Sequence, residues 1–158
     1  MNLPPKTGLY DPQFERDACG IGFVAKLDGV PTHEIVRQGV ESLVNLEHRG
    51  ACGCDPLTGD GAGLLMQLPH EFFIKESQKL GFALPKPGHY AVGFLFLPTD
   101  ASERRRCEQI LEDKVLAAGQ RVLGWRDVPV DANSTGELAR RSMPILRQVF
   151  LGASDQVI

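Results

Sequence analysis

The four residues Cys19-Gly20-Ile21-Gly22 are the part of this sequence best suited to making and breaking a covalent bond. A thiolate is a strong nucleophile, and glycines at 20 and 22 leave the Cys19 thiol unshielded by neighbouring side chains. Cleavage between Ala18 and Cys19 would free an α-amine with a pKa of about 7.7–8.0, which titrates near neutrality. Such an amine can take the thiol proton and later hand it to a leaving ammonia, so that one residue supplies nucleophile and base. Position alone also allows core packing, because cysteine is among the most buried residue types.

Arg49 is the second candidate. At the end of a helix it reads as a cation stabilised by the helix dipole, worth about 0.3–1 kcal/mol; beside a thiolate its guanidinium would steady developing negative charge. Asp60 lies in Gly59-Asp60-Gly61-Ala62-Gly63. No Lys-Ser or Lys-Thr follows, as a phosphate loop requires, and there are no spaced acids with a closing Glu for calcium. It reads as a tight turn. His33 and His48 read as structural, since an N-terminal cysteine needs no histidine base. Cys52 and Cys54 form a C-x-C pair with only His48 close by, a poor match to zinc spacing. Cys107, at an apolar helical position, is expected in the core, and Trp125 at core or rim.

Periodicity and turn chemistry give the elements that would hold these residues in place. Ile21–Leu27 is apolar and β-prone and stops at Asp28-Gly29. Glycines weaken a strand start unless something approaches the backbone closely. Thr32 can cap a helix whose apolar positions are Ile35, Val36, Val40, Leu43 and Val44, ending near His48-Arg49-Gly50. A glycine-rich turn segment fills 51–63, and 64–68 reads as a short strand. A helix over 69–80 has Pro69 in its first turn and Gly81 as its stop. Tyr90–Leu97 reads as a buried strand closed by Pro98. A helix capped by Thr99 or Asp100 ends at Gly119, followed by strands over 120–125 and 145–151, with a helical turn over 137–142 between them. Alternation by itself suggests α/β, while short links and single amphipathic faces also allow an α+β sandwich.

The chain has 158 residues, enough for one domain, with 42% hydrophobic and 23% charged residues and a net charge of −3. The run Arg104-Arg105-Arg106 is followed by Glu108, Glu112 and Asp113, so it reads as a solvated helix face and not a nucleic-acid footprint. No apolar run approaches the roughly 20 residues of a membrane span; Val92–Leu97 has strand length. The first 18 residues carry Pro4, Pro5, Asp11, Glu15 and Asp17 and no apolar core. They resemble neither a secretory signal nor an Arg- and Ser-rich transit peptide, which points to a cytoplasmic protein with reduced thiols.

Four blocks carry a resemblance to a known family. Leu9-Tyr10-Asp11-Pro12 through Asp17-Ala18-Cys19-Gly20-Ile21-Gly22-Phe23 resembles the start of the glutamate synthase large-subunit family. So do His48-Arg49-Gly50-Ala51 with Thr58-Gly59-Asp60-Gly61-Ala62-Gly63, the run Leu123 to Val130, and Ser142-Met143-Pro144 before Gln148-Val149-Phe150. Their order spans nearly the whole chain, which makes the resemblance far more specific than a Cys-Gly pair.

The resemblance implies an α+β fold, part of an Ntn-hydrolase αββα sandwich with mainly antiparallel sheets, in place of the α/β pattern. It implies residues 1–18 as a removable leader and 19–158 as the N-terminal part of a type-2 glutamine amidotransferase domain. Cys19 would be the nucleophile that hydrolyses glutamine through a thioester, with Arg49 in the active site. The ammonia would pass to 2-oxoglutarate in the remaining synthase domains, which would carry flavin mononucleotide and an iron–sulfur cluster; this chain would bind no cofactor, nucleic acid or membrane. The family's Asn-Gly oxyanion pair and its glutamine-binding arginine segment have no counterpart here. The chain is therefore expected to be a fragment, inactive or nearly so alone, with uncovered apolar faces. Two other readings stay open: a binding or regulatory module on half of the fold, and a stand-alone thiol hydrolase for another amide.

Overall fold

The computed structural model describes residues 5–8, 11, 13, 20–47, 55, 57–59 and 61–153. The chain divides into two compact units, Met1–Met66 and Gln67–Ile158.

Among the described residues of the first unit the one long element is helix α1, His33–Asn45. Thr32 occupies the N-cap position with extended backbone, although its hydroxyl makes no capping bond. The helix closes one turn earlier than the sequence suggests, with Leu46 as its C-cap. Before α1 the chain reverses at Asp28-Gly29: Gly29 N donates to Lys26 O, Val30 N donates to Asp28 Oδ1, and Gly29 takes φ +67°. The expected strands at 21–27 and 64–68 do not form among the described residues. A β-strand exists only through its ladder, and no described segment pairs with either of them. Their side chains lie open instead, Phe23 at 92% of its full exposure and Leu65 at 100%.

The second unit holds the sheet. Strands β1 (Tyr90–Leu97), β2 (Arg121–Asp127) and β3 (Ile145–Gly152) stand in the order β1-β3-β2, all neighbours antiparallel. Helix α2 (His70–Lys79) precedes β1, α3 (Ala101–Ala117) links β1 to β2, and the short α4 (Glu137–Arg141) precedes β3. The architecture is α+β with an antiparallel sheet, and the α/β pattern suggested by alternation gives way. β1 is followed by a helix, but that helix leads to β2, which pairs antiparallel with the strand between them.

Each helix covers one face. On the α2 face, the fully buried Phe150 meets Phe73 edge-on at 5.1 Å between ring centroids, and Tyr90 completes this core with Phe82, Leu84, Val92 and Leu123 packed around it. A bulge between Val122 and Gly124 places the extra residue, Leu123, against that core. On the α3 face lie buried Val149 and Leu97. The docking of α3 is largely polar: Arg147 Nη1 donates to Glu108 at 2.6 Å and Trp125 Nε1 to Glu112 at 2.7 Å.

That polar docking overturns the expectation for Cys107. The sheet-facing stripe of α3 is Arg104, Glu108, Leu111, Glu112 and Val115, so Cys107 and Ile110 turn outward and are exposed. Among the described residues no helix is long and apolar enough to cross a membrane.

Candidate functional site

Cys19 and Arg49 both lie outside the described residues, as do His48, Cys52, Cys54 and Asp60. What the structure describes is the framework that flanks them. Gly20, next to Cys19, rests against the last turn of α1: a Cβ built on it would sit 2.9 and 3.2 Å from the Leu46 methyls and 3.3 Å from Leu46 Cβ. Gly22 lies over the same stripe, where a Cβ would stand 3.7 Å from Ser42 Cβ and 4.0 Å from Leu46 Cδ1. The close approach that excuses glycines at a strand start is therefore the helix α1, not a neighbouring strand. Gly39 in mid-helix similarly admits Leu64, whose Cδ1 would be 2.8 Å from an added Cβ. Ser42 spends its hydroxyl on Gln38 O, and Arg37 pairs with Glu34 at 2.8 Å, so these polar groups of α1 are engaged within the helix.

Three polar clusters of the second unit escaped the sequence reading. Arg126, nearly buried, donates to Glu76 and to Gln148 Oε1 and lies over the Phe72 ring at 5.4 Å. The Lys79 hydrogen bond first, and Arg126 second, hold the Glu76 carboxyl below the usual carboxylate range. Arg147 stacks on Trp125 at 5.0 Å, pairs with Glu108, and brings its Nε to 2.6 Å from Asp127 Oδ1 without the N–H pointing at it. Tyr90 meets His70 Nδ1 at 3.0 Å, and burial pushes its phenol pKa up. Each cluster ties a helix to the sheet, and the carboxylates and guanidinium groups within them are paired with each other. An open groove beside α3, lined by Arg104, Glu108, Asp127, Met143, Pro144 and Arg147, shares those paired charges. No sequence spacing could have found these pairs, because their partners are brought together only by sheet register. Among the described residues no three His, Cys, Asp or Glu side chains group as a metal site would need.

Residues 19–157 match the family of class-II glutamine amidotransferases, and the chain belongs to that family. The α+β sheet-and-helix arrangement is its Ntn-hydrolase framework in part. Within the family the chain is similar to the glutamate synthases. It is 48% identical over 155 residues to the glutamate synthase [NADPH] large chain of Bacillus subtilis, covering 98% of this chain and 10% of the relative. It is 42% identical over 154 residues to glutamate synthase [NADH] of Saccharomyces cerevisiae, covering 94% of this chain and 7% of the relative. Ferredoxin-dependent glutamate synthase 1 of Arabidopsis thaliana is 40% identical over 148 residues, 94% of this chain and 9% of the relative. The chain thus spans about a tenth or less of the relatives' length.

Proposed function

We propose that this chain is the nucleophile-bearing front segment of the glutaminase domain of a glutamate synthase, with residues 1–18 removed as a leader, 19–158 the start of the domain, Cys19 as nucleophile and Arg49 beside it. The observation that carries the reading is that the family match opens on residue 19, the position where a cut would expose a cysteine with a free α-amine.

The steps balance with this chain's own groups. The α-amine of Cys19 takes the thiol proton, and Sγ attacks the side-chain amide carbon of glutamine, the carbonyl π electrons moving to oxygen. As the tetrahedral adduct collapses, the C–N bond breaks, the ammonium returns its proton to the leaving nitrogen, and ammonia departs from a glutamyl thioester. Water then adds to the thioester, its proton passing to the amine. The C–S bond breaks, Sγ regains the proton, and glutamate leaves. Arg49 steadies the thiolate and the oxyanion by charge-assisted hydrogen bonding. The ammonia aminates 2-oxoglutarate in the remaining synthase domains, using flavin mononucleotide and an iron–sulfur cluster there. Among the described residues no three His, Cys, Asp or Glu side chains group as a metal site would need, and no step here runs through either cofactor. Relatives named for NADPH, NADH and ferredoxin match the same segment. The electron donor is therefore chosen elsewhere.

The test is made in a complete synthase carrying this segment. Mass spectrometry should find the mature chain beginning at Cys19; fully active enzyme with the leader intact would sink the processing reading. Cys19→Ala should abolish glutamine-dependent synthesis and leave ammonia-dependent synthesis in place. Arg49→Ala should lower the same glutamine-dependent kcat by roughly 10²-fold, as loss of an oxyanion-stabilising donor does. Normal glutaminase activity in Cys19→Ala would overturn the assignment.

A further inference from the structure

We infer that helix α3 is a releasable cover of the sheet: a polar latch holds it down, and it lifts from Leu97 and Val149 as a unit while α2 and the three strands stay folded.

The two faces of the sheet are held by different physics. α2 buries Phe73 and Ser77 and sets the Phe73 ring edge-on to Phe150. None of the 17 residues of α3 is buried, and its Leu111 and Val115 are only partly covered. In place of a buried side chain α3 offers one polar contact per turn. Arg104 Nη1 donates to Pro98 O and Thr99 O, Glu108 accepts from Arg147 Nη1, and Glu112 accepts from Trp125 Nε1. Positions 104, 108 and 112 stand four apart and so share one stripe of the helix. Apolar surface finds no substitute partner in water, whereas a polar group exchanges its protein partner for water at small net loss. Of the two long helices on this sheet, α3 is therefore the one given up with less loss.

Charge usually argues against such a release, because breaking a buried ion pair is costly chiefly for the charge left behind. Arg147 is not left behind. Asp127, its cross-strand neighbour on β2, already holds Oδ1 2.6 Å from Arg147 Nε. With α3 docked, that buried Nε–H has no aligned acceptor; once Glu108 departs, the guanidinium turns to Asp127 and gains one. Trp125, stacked on Arg147 at 5.0 Å, belongs to the sheet as well. Arg147 thus keeps a carboxylate and an aromatic face with or without the helix. Short links, 98–100 and 118–120, join α3 to its strands and take no part in the ladder. Release bares Leu97 and Val149, so one sheet has a closed state under a polar helix and an open state with an apolar face.

The experiment is hydrogen exchange on the full 158-residue chain, read by peptide mass spectrometry at concentrations too low for self-association. Corrected for intrinsic rates, the amides of 101–117 should be at least about tenfold less protected than those of 145–152, because local opening takes less free energy than global unfolding. Glu108→Gln keeps the side-chain shape and removes the charge. It should lower α3 protection by a further factor of about ten, as loss of a hydrogen bond between charged groups does, and leave 145–152 unchanged. Trp125, the single tryptophan, should become more open to acrylamide quenching in the same variant. Asp113→Asn, on the exposed side of α3, removes the same charge without touching the latch and should behave as the parent chain. Equal protection of 101–117 and 145–152 in the parent chain would overturn independent release. A Glu108→Gln variant with unchanged α3 exchange, or with 145–152 accelerated as much as α3, would overturn the latch.

Discussion

A methyl group built on Gly124 would lie 2.4 Å from Phe82 Cδ1 and 2.8 Å from its Cγ. The ring also packs on Phe150, the cross-strand partner of Gly124, at 5.3 Å between centroids, so moving it disturbs the core. Gly124 sits in the bulge that turns Leu123 to the core, so the missing side chain and the extra residue serve the same packing. Gly124→Ala should cost about 1–3 kcal/mol, the usual penalty of overpacking, seen as a lower midpoint in urea with an unchanged slope; an unaltered midpoint would mean that Phe82 moves freely. At this scale the sequence marks candidates where chemistry depends on residue type. Cys19 stands out because a thiol and two glycines coincide after a proline-containing, acidic stretch, and Arg49 because it stands where periodicity ends a helix; both lie outside the described residues. Gly124 carried no such mark. Its reason lies in Phe82, more than forty positions away, which only the sheet brings to it. Cys107 was misjudged for a related reason: apolar spacing marks a stripe, but Arg147 and Trp125 beneath α3 chose the stripe bearing Glu108 and Glu112.

Helix α3 begins on Asp100, whose Oδ1 accepts from Ser102 Oγ at 2.6 Å and from the backbone N–H groups of Ser102 and Glu103 at 2.9 Å. The Ser102 side-chain bond first, then the two backbone donors, hold this carboxyl below its usual range. A carboxyl depressed in the folded state adds stability that is complete above its unfolded value, near 3.9, and that disappears as pH falls through the folded value. Asp100→Ala should therefore lower Tm at neutral pH, and the gap to the parent chain should narrow in acid. Asp100→Asn, a good cap without a charge, should keep most of the neutral-pH Tm and lose the acid dependence. A gap that stays constant between pH 7 and acid would refute the cap. The cap was legible to a choice of two, Thr99 or Asp100, of which the structure takes Asp100. The bounds of Tyr90–Leu97 were legible to the residue, though the strand is only partly buried, and so were the helix stops at Gly81 and Gly119, both of which adopt positive φ. Local chemistry decides those features. The 21–27 and 64–68 segments were not legible, since β-propensity sets willingness to pair and says nothing about whether a partner is at hand.

For the molecule as a whole, apolar surface outruns what its own elements cover. Phe94 and Phe96 stack on each other at 5.4 Å on the α2 side of the sheet, yet Phe96 keeps 71% of its exposure. In the first unit Ile21 and Leu27 are as open. β1 is an edge strand of eight residues with no charge and no proline among them, and it lacks the usual guards against edge-to-edge pairing. The isolated chain should associate, eluting ahead of a monomer on a sizing column at micromolar concentration. Phe96→Lys, which places a charge on that edge, should shift the elution toward monomer with little loss of helix signal. The same preparation, with Cys19 exposed, should release negligible ammonia from glutamine, because Arg49 would act without the Asn-Gly oxyanion pair and the glutamine-binding arginine segment that the family resemblance leads one to expect. Steady turnover by a monodisperse monomer would contradict both expectations.

The strand order also matters while the chain is being made. β3 is the middle of the sheet and the last of its strands to be synthesised. While the ribosome works through the segment between β2 and β3, both edge strands have already been made, and neither has its neighbour. Leu97 must wait for Ile145, and Tyr90 for Gly152. During that interval the Tyr90–Leu97 run is an unpaired apolar strand, the form in which nascent chains are most exposed to misassociation. Any pause before Ile145 lengthens the interval, and a nascent chain held there needs a chaperone more than the finished sheet does.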